Sequence, residues 1–156
     1  MSSKLIVAVG LSMFLTACSA PGPMQLPSGP HDTSVFEPVA LDMAKDWQGE
    51  ILFKSAFSHL YRNGERESPL FRAGTFFITN KGAYYMTWNS ATYEYSMMYE
   101  IMAKDIKAVS TRTVERDYLP DSEYLDIKDT HDITTSFTLF NRIGAEQVLT
   151  KIMADK

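Results

Sequence analysis

The stretch "GTFFITNKGAYYMTW", residues 74–88, decides the fold. Two runs rich in aromatic and β-branched residues, Thr75–Thr79 and Ala83–Trp88, flank Asn80-Lys81-Gly82. Such runs favour extended backbone, and a three-residue connection ending in Gly suits a type I turn with a bulge. The stretch therefore predicts a β-hairpin. Alternation places Tyr84, Met86 and Trp88 on one face of its second strand and Tyr85 on the other.

Strands continue on both sides of this hairpin. Upstream, "EILFKSAFSHLYR" (50–62) predicts a long strand in which Ile51, Phe53 and Phe57 alternate and Ser55 interrupts the series. The polar "NGERESP" (63–69) follows as a loop, and "PVALDMAKDW" (38–47) precedes as a short helix, with Pro38 at its first position and Val39, Met43 and Trp47 on one face. Downstream of the turn "NSAT" comes "YEYSMMYEI" (93–101), a strand that sends Tyr93, Tyr95, Met97, Tyr99 and Ile101 to one side and Met98 to the other, although Met-Met-Tyr-Glu-Ile-Met-Ala-Lys also has good helix propensity. "IKAVSTRTV" (106–114) is a further strand, and "YLDIK" with "ITTSFTLF" forms a last hairpin around "DTHD". The period then changes. Ala145, Val148, Leu149, Ile152 and Met153 follow the spacing of an amphipathic helix with one buried stripe. Seven short antiparallel strands cannot cover their own open corner, and one terminal helix laid against them can.

This order resembles the pleckstrin-homology-like fold. "GTFFIT", "YYMTW", "MAKDIKAV", "LDI", "FTLF" and "AEQVLTKI" look like the GRAM subgroup, with its glycine-led strand ending in Thr, aromatic strand, Asp-Ile pair opening the next strand and closing helix. The resemblance spans about Gly49 to Ala154; the "ERESP" loop and the methionine-rich strand depart from it. It implies a mainly β domain, a seven-stranded open barrel capped by one C-terminal helix. The alternative is another small β-barrel or sandwich plus a helix.

The first residues carry a different kind of information. After Lys4, the run from Leu5 to Leu15 is apolar or small. As a helix it spans roughly 17 Å at ~1.5 Å per residue, short of a ~30 Å bilayer core. A basic start, a short apolar run and small residues after it make a secretory signal peptide. Its end, Leu15-Thr16-Ala17-Cys18, resembles the lipobox of bacterial lipoproteins. That resemblance implies diacylglyceryl transfer to the Cys18 thiol, cleavage before Cys18 and acylation of the new terminus. Ser19 in the following position implies passage to the outer membrane, in an organism that has one. Cys18 is the single cysteine, so no disulfide can form within the chain and the exported domain must fold without covalent staples.

These readings divide the chain into a signal peptide at 1–17, a lipidated tether at 18–34 and a domain at 35–156. Pro21, Pro23, Pro27 and Pro30 keep the tether extended, with a reach on the order of 50 Å. The whole chain has formal charge -4; loss of Lys4 with the signal peptide takes it to -5. A mildly acidic domain is a poor nucleic-acid ligand.

No motif specifies chemistry. His31 lies in the tether, and His59 and His131 lack ligand-like neighbours at metal spacing. Asp117, Asp121, Glu123, Asp126, Asp129 and Asp132 do not follow calcium-loop spacing. Lys54, Arg62, Arg66, Arg72 and Lys81 lie around the first long loop, where many pleckstrin-homology domains hold anionic headgroups, but Glu65 and Glu67 dilute that charge. No nucleophile motif, metalloprotease motif or phosphate loop is present. The reading is of a non-catalytic binding or assembly module, without metal or cofactor. It is anchored in membrane lipid through acylated Cys18, faces the periplasm, and meets a periplasmic or envelope protein. A small enzyme or ligand carrier with its site at the barrel mouth is the alternative. The candidate contact surface is Tyr84, Trp88, Tyr93, Tyr95, Met97 and Tyr99, whose bulk exceeds what a small barrel holds and so predicts an exposed aromatic or Met cluster.

Replacing Cys18 with Ala is expected to abolish fatty-acid labelling and leave an uncleaved or soluble precursor. A Cys18→Ala chain that still partitions into detergent at mature length contradicts the anchor.

Overall fold

The computed structural model describes residues 39–46, 49–63, 65–66, 74–89, 94–115, 117–118 and 120–155. The signal peptide, Cys18 and its flank, and the tether lie outside the described residues, as do Pro38, Trp47, Tyr93 and the side chain of Trp88. A helical stretch at 39–43 (α1) leads into the strands. These are β1 (Ile51–Arg62), β2 (Glu65–Arg66), β3 (Gly74–Thr79), β4 (Gly82–Asn89), β5 (Glu94–Met102), β6 (Ile106–Val114), β7 (Ser122–Asp129) and β8 (Thr134–Thr138). A 3-10 turn, Ala103–Asp105, joins β5 to β6, and the helix α2 (Arg142–Ala154) closes the chain. All pairings are antiparallel, in the order β5-β4-β3-β1-β8-β7-β6, with the two-residue β2 attached to β1 outside that path. The "YEYSMMYEI" stretch is a strand from Glu94 onward, and seven strands followed by one helix is the order the sequence implied.

β1 holds the two halves together. Its first part pairs with β3, from Ile51 opposite Thr79 to Ser58 opposite Gly74, and its last part pairs with β8, from His59 opposite Thr138 to Arg62 opposite Thr135. Between them the register slips at Ser55–Ser58, and Phe57 adopts φ 56. A left-handed backbone is uncommon for a bulky residue, and a slip of this kind bends a strand and increases its twist. The joint is fastened on both sides. The Tyr85 hydroxyl donates to the Ser58 carbonyl at 3.0 Å, and the Phe140 amide donates to Ser55 Oγ at 3.2 Å.

The slips redistribute faces that simple alternation would keep together. Ile51 packs toward α1, Phe53 packs against the barrel core and Phe57 is 42% exposed. These three residues therefore do not share a face. β5 shows the same effect. Met97 lies opposite Met86 but Tyr99 lies opposite Tyr85, so Met98 is an extra residue. Tyr95 and Met97 point outward, while Tyr99 and Ile101 turn into the barrel.

Two apolar layers result. Inside the barrel, Leu60, Phe76, Ile78, Tyr85, Leu125 and Phe137 are fully buried, and Leu149 and Ile152 of α2 close over them. The stripe on α2 is the one its periodicity implied, with Ala145 also buried. Outside the first sheet, Phe77, Tyr84 and Met86 are equally buried, beneath Ala40 and Ala44 of the N-terminal segment. The buried stripe there is thus Ala40 and Ala44. Val39 is exposed and Met43 only partly buried. Small side chains let the helix approach a face already filled by rings.

Gly82 opens β4 for a reason of space. Its backbone is not left-handed, but a Cβ on it would come within 2.0 Å of the Ile101 carbonyl oxygen. Replacing Gly82 with Ala is expected to push β5 from β4 and cost about 1–3 kcal/mol, read as a lower midpoint in urea unfolding. An unchanged midpoint contradicts this packing.

Candidate binding groove

Of the six candidate contact residues, Tyr93 and the side chain of Trp88 lie outside the described residues, and the other four are buried or partly buried. Tyr84 is fully buried and Tyr99 nearly so, while Tyr95 and Met97 are partly buried against the layer under α1. The reason is physical: each face of β3 and β4 has its own cover. Tyr84 stacks on Phe77 at 5.1 Å and donates its hydroxyl to Asp46 Oδ2 at 3.0 Å. Thr79 Oγ1 donates to the same oxygen at 2.6 Å. Asp46 is itself buried, so these two donors satisfy a carboxylate that would otherwise be costly to place there. Burial, with the Asp46 charge adding to it and the Thr79 hydrogen bond opposing, pushes the Tyr84 hydroxyl well above the usual phenol range.

What remains open is the seam where the barrel does not close. Among the described residues, β5 pairs only with β4 and β6 only with β7, so both end the sheet order. Beside β5 runs a groove of about 1000 Å³. One wall is the strand itself from Met97 to Met102; the other is Arg62 and Asn63 at the end of β1 with the β7–β8 turn, Asp129 to Ile133. Its apolar lining is methionine-rich and includes Ile133, which is 54% exposed. Thioether side chains adapt to differently shaped partners.

The polar groups of the groove gather around Tyr99. Its ring lies edge-on to Phe137 at 5.1 Å, and its hydroxyl is hydrogen-bonded with Thr135. Burial first, then the Asp129 charge, raise this hydroxyl's pKa, against Arg62 and the Thr135 hydrogen bond. Glu100 and Asp105 add two carboxylates along the β5 side.

The opposite wall is a braced turn. Asp129 Oδ1 accepts from the amides of His131 at 2.8 Å and Ile133 at 2.9 Å. The Thr130 amide donates to the Asp105 carbonyl at 3.0 Å, which ties the β7–β8 turn to the 3-10 turn that follows β5. Asp132, with φ 66, takes Lys107 Nζ at 2.6 Å and Lys128 Nζ at 2.9 Å on one carboxylate oxygen. His131 is thus a turn residue, within the "DTHD" connection of the last hairpin. Among the described residues no group of three or more His, Cys, Asp or Glu could hold a metal ion, and no helix is long and apolar enough to cross a membrane.

The architecture matches solved structures. The N-terminal PH domain of Vps36 superposes with a TM-score of 0.52 at 11% identity, covering 69% of this chain and 81% of that one. The chain has a pleckstrin-homology-like fold. The C-terminal domain of an unknown protein from Leishmania infantum superposes equally, with a TM-score of 0.52 at 14% identity over 76% of this chain and 97% of that one. At such identities the likeness of this pleckstrin-homology-like domain is one of fold alone. No protein-family model matches the sequence, and no curated protein matches it.

The groove itself was not legible in the sequence. Met97 and Tyr99 were candidate contact residues, but Arg62, Met98, Asp129 and Ile133 reach the same groove only through the sheet order and the Met98 slip. The run of methionines in the predicted strand "YEYSMMYEI" was the one usable signal.

The turn that forms the far wall has a defined pH response. The Lys107 and Lys128 hydrogen bonds, and then their charges, hold the Asp132 carboxyl at about 2, below its model-peptide 3.8. A depressed value means the clamp is fully present above the ordinary carboxylate range and lost as pH falls through about 2. Carboxyl-carbon NMR is expected to give a midpoint near 2 that returns to the ordinary range in the Lys107→Ala/Lys128→Ala protein; an ordinary midpoint in the unaltered protein contradicts the clamp.

Proposed function

We propose that this protein is a lipid-anchored, non-catalytic binding module. It is tethered through acylated Cys18 to the periplasmic face of the outer membrane and takes a segment of an envelope protein into the seam groove. The observation that carries this reading is where the space lies. The barrel interior is filled by Leu60, Phe76, Tyr85 and Phe137, whereas the large cavity runs along the free edge of β5. A filled interior weighs against a carrier that encloses a small ligand. Asp129 Oδ1 is engaged in holding the turn, and Tyr99 is kept protonated by its buried position. An adaptable methionine wall beside a strand edge that has no partner strand among the described residues suits recognition of another chain. The pleckstrin-homology-like fold agrees with such a role, and the Pro-rich tether gives the domain reach from its membrane.

A photo-crosslinking amino acid at Met98, in the full chain expressed in its native membranes, is expected to give a discrete adduct. The adduct should fall at least about tenfold, roughly 1.4 kcal/mol, when Ile133 is changed to Glu. The same probe at Gln147, exposed on α2, should give none. No adduct at Met98, or one equally strong at Gln147, overturns the proposal.

A further inference from the structure

The two sheet edges are treated differently. β6 is exposed along most of its length, but it carries Lys107 and Arg112, each held by a carboxylate at 2.6 Å. Helix α2 also reaches it, with Thr111 Oγ1 donating to Glu146 at 3.3 Å. Charge and a covering helix are the usual defences of an edge strand. β5 carries two charges, Glu94 at its start and Glu100, both acidic. From Tyr95 to Met102 its only charged residue is Glu100, and three of the eight are methionine. Its open side faces the groove, and Met98 is 39% exposed beside it.

An antiparallel edge strand turns the N–H and C=O of alternate residues away from its neighbour. Along Met97–Met102 these groups border the groove, whose span is roughly 20 Å at ~3.4 Å per residue. That length accommodates about six residues of extended chain, and the groove's volume admits their side chains on one face. The charges select among such chains. Among the described residues that line the groove, Glu100, Asp105 and Asp129 stand against Arg62, an excess of two negative charges.

We infer that β5 is an acceptor strand: the groove binds an extended peptide segment that adds to the β5 edge, apolar at alternate positions and carrying lysine or arginine. This rests on the binding-module reading and names the chemistry of its partner. Main-chain hydrogen bonds to β5 supply the register. Met97, Met98, Met102 and Ile133 take the apolar side chains, and the carboxylates at the Asp105–Asp129 end take the cation. The Met98 slip fixes the phase, because regular strand geometry resumes only on either side of it.

A displayed pool of random decapeptides, selected on the full chain purified in detergent, tests this. The expected winners alternate apolar and basic residues. N-methylation of one alternating set of their amides weakens binding at least about tenfold, and of the other set less than about threefold. The Glu100→Lys chain, altered at an exposed residue, keeps its melting temperature and loses at least about tenfold in affinity for these peptides. Winners that tolerate N-methylation at every position, that are acidic, or that ignore Glu100→Lys overturn strand addition, as does a pool that yields no winner. In each of those cases the Met98 crosslink separately reports whether the groove binds a partner in another way.

Discussion

β1 has to belong to two sheets at once, and the rest of the molecule follows from how it does so. A strand with regular alternation would present one face to one sheet throughout. Here the backbone slips at Ser55–Ser58, Phe57 takes a left-handed conformation, and the strand leaves β3 to join β8. Such a conformation costs a bulky residue on the order of 1–2 kcal/mol, so the surroundings must impose it. They do so with short-range polar contacts. Ser58 Oγ donates to the Ser55 carbonyl at 2.9 Å, the Ser58 carbonyl receives Tyr85, and Ser55 Oγ receives the amide of Phe140. The last of these places the start of α2 beside the joint, and Asn141, accepting from the Gly144 amide at 3.1 Å, caps the helix there. The bend that makes the barrel thus also sets down the helix that closes it.

Curling the sheet disposes of the large apolar residues. The interior takes one face of the hairpin from Gly74 to Thr87, and the N-terminal segment takes the other, fastened by Asp46 to Thr79 and Tyr84. With both faces covered, what the curl leaves open among the described residues is an edge. Among the described residues, the seam beside β5 is where methionines, a sheet edge and an excess of carboxylates coincide.

Strand order and the terminal helix were legible in the sequence because they rest on periodicity and turn chemistry. Ala145, Leu149 and Ile152 are buried as their spacing requires, and Tyr84 and Tyr85 point to opposite faces. Face assignments failed wherever the register slips. An inserted residue reverses every side chain beyond it, and nothing in "YEYSMMYEI" marks Met98 as the extra one. Tyr99 and Tyr95 therefore separate. Gly82 was legible as a special position, but through the wrong cause: a turn conformation was expected, and close approach to Ile101 is found. The groove was out of reach, since it joins β1, β5 and the β7–β8 turn across long separations in the chain.

Amide hydrogen exchange of the full chain, read residue by residue along β5, tests the central claim most directly. An unpaired edge predicts alternation: within Tyr99–Met102, amides directed to β4 exchange slowly, and those directed into the groove exchange orders of magnitude faster. Amides of β3 and β4 stay slow throughout. Uniform protection along β5 would mean that its edge is already paired, and it would contradict an open seam.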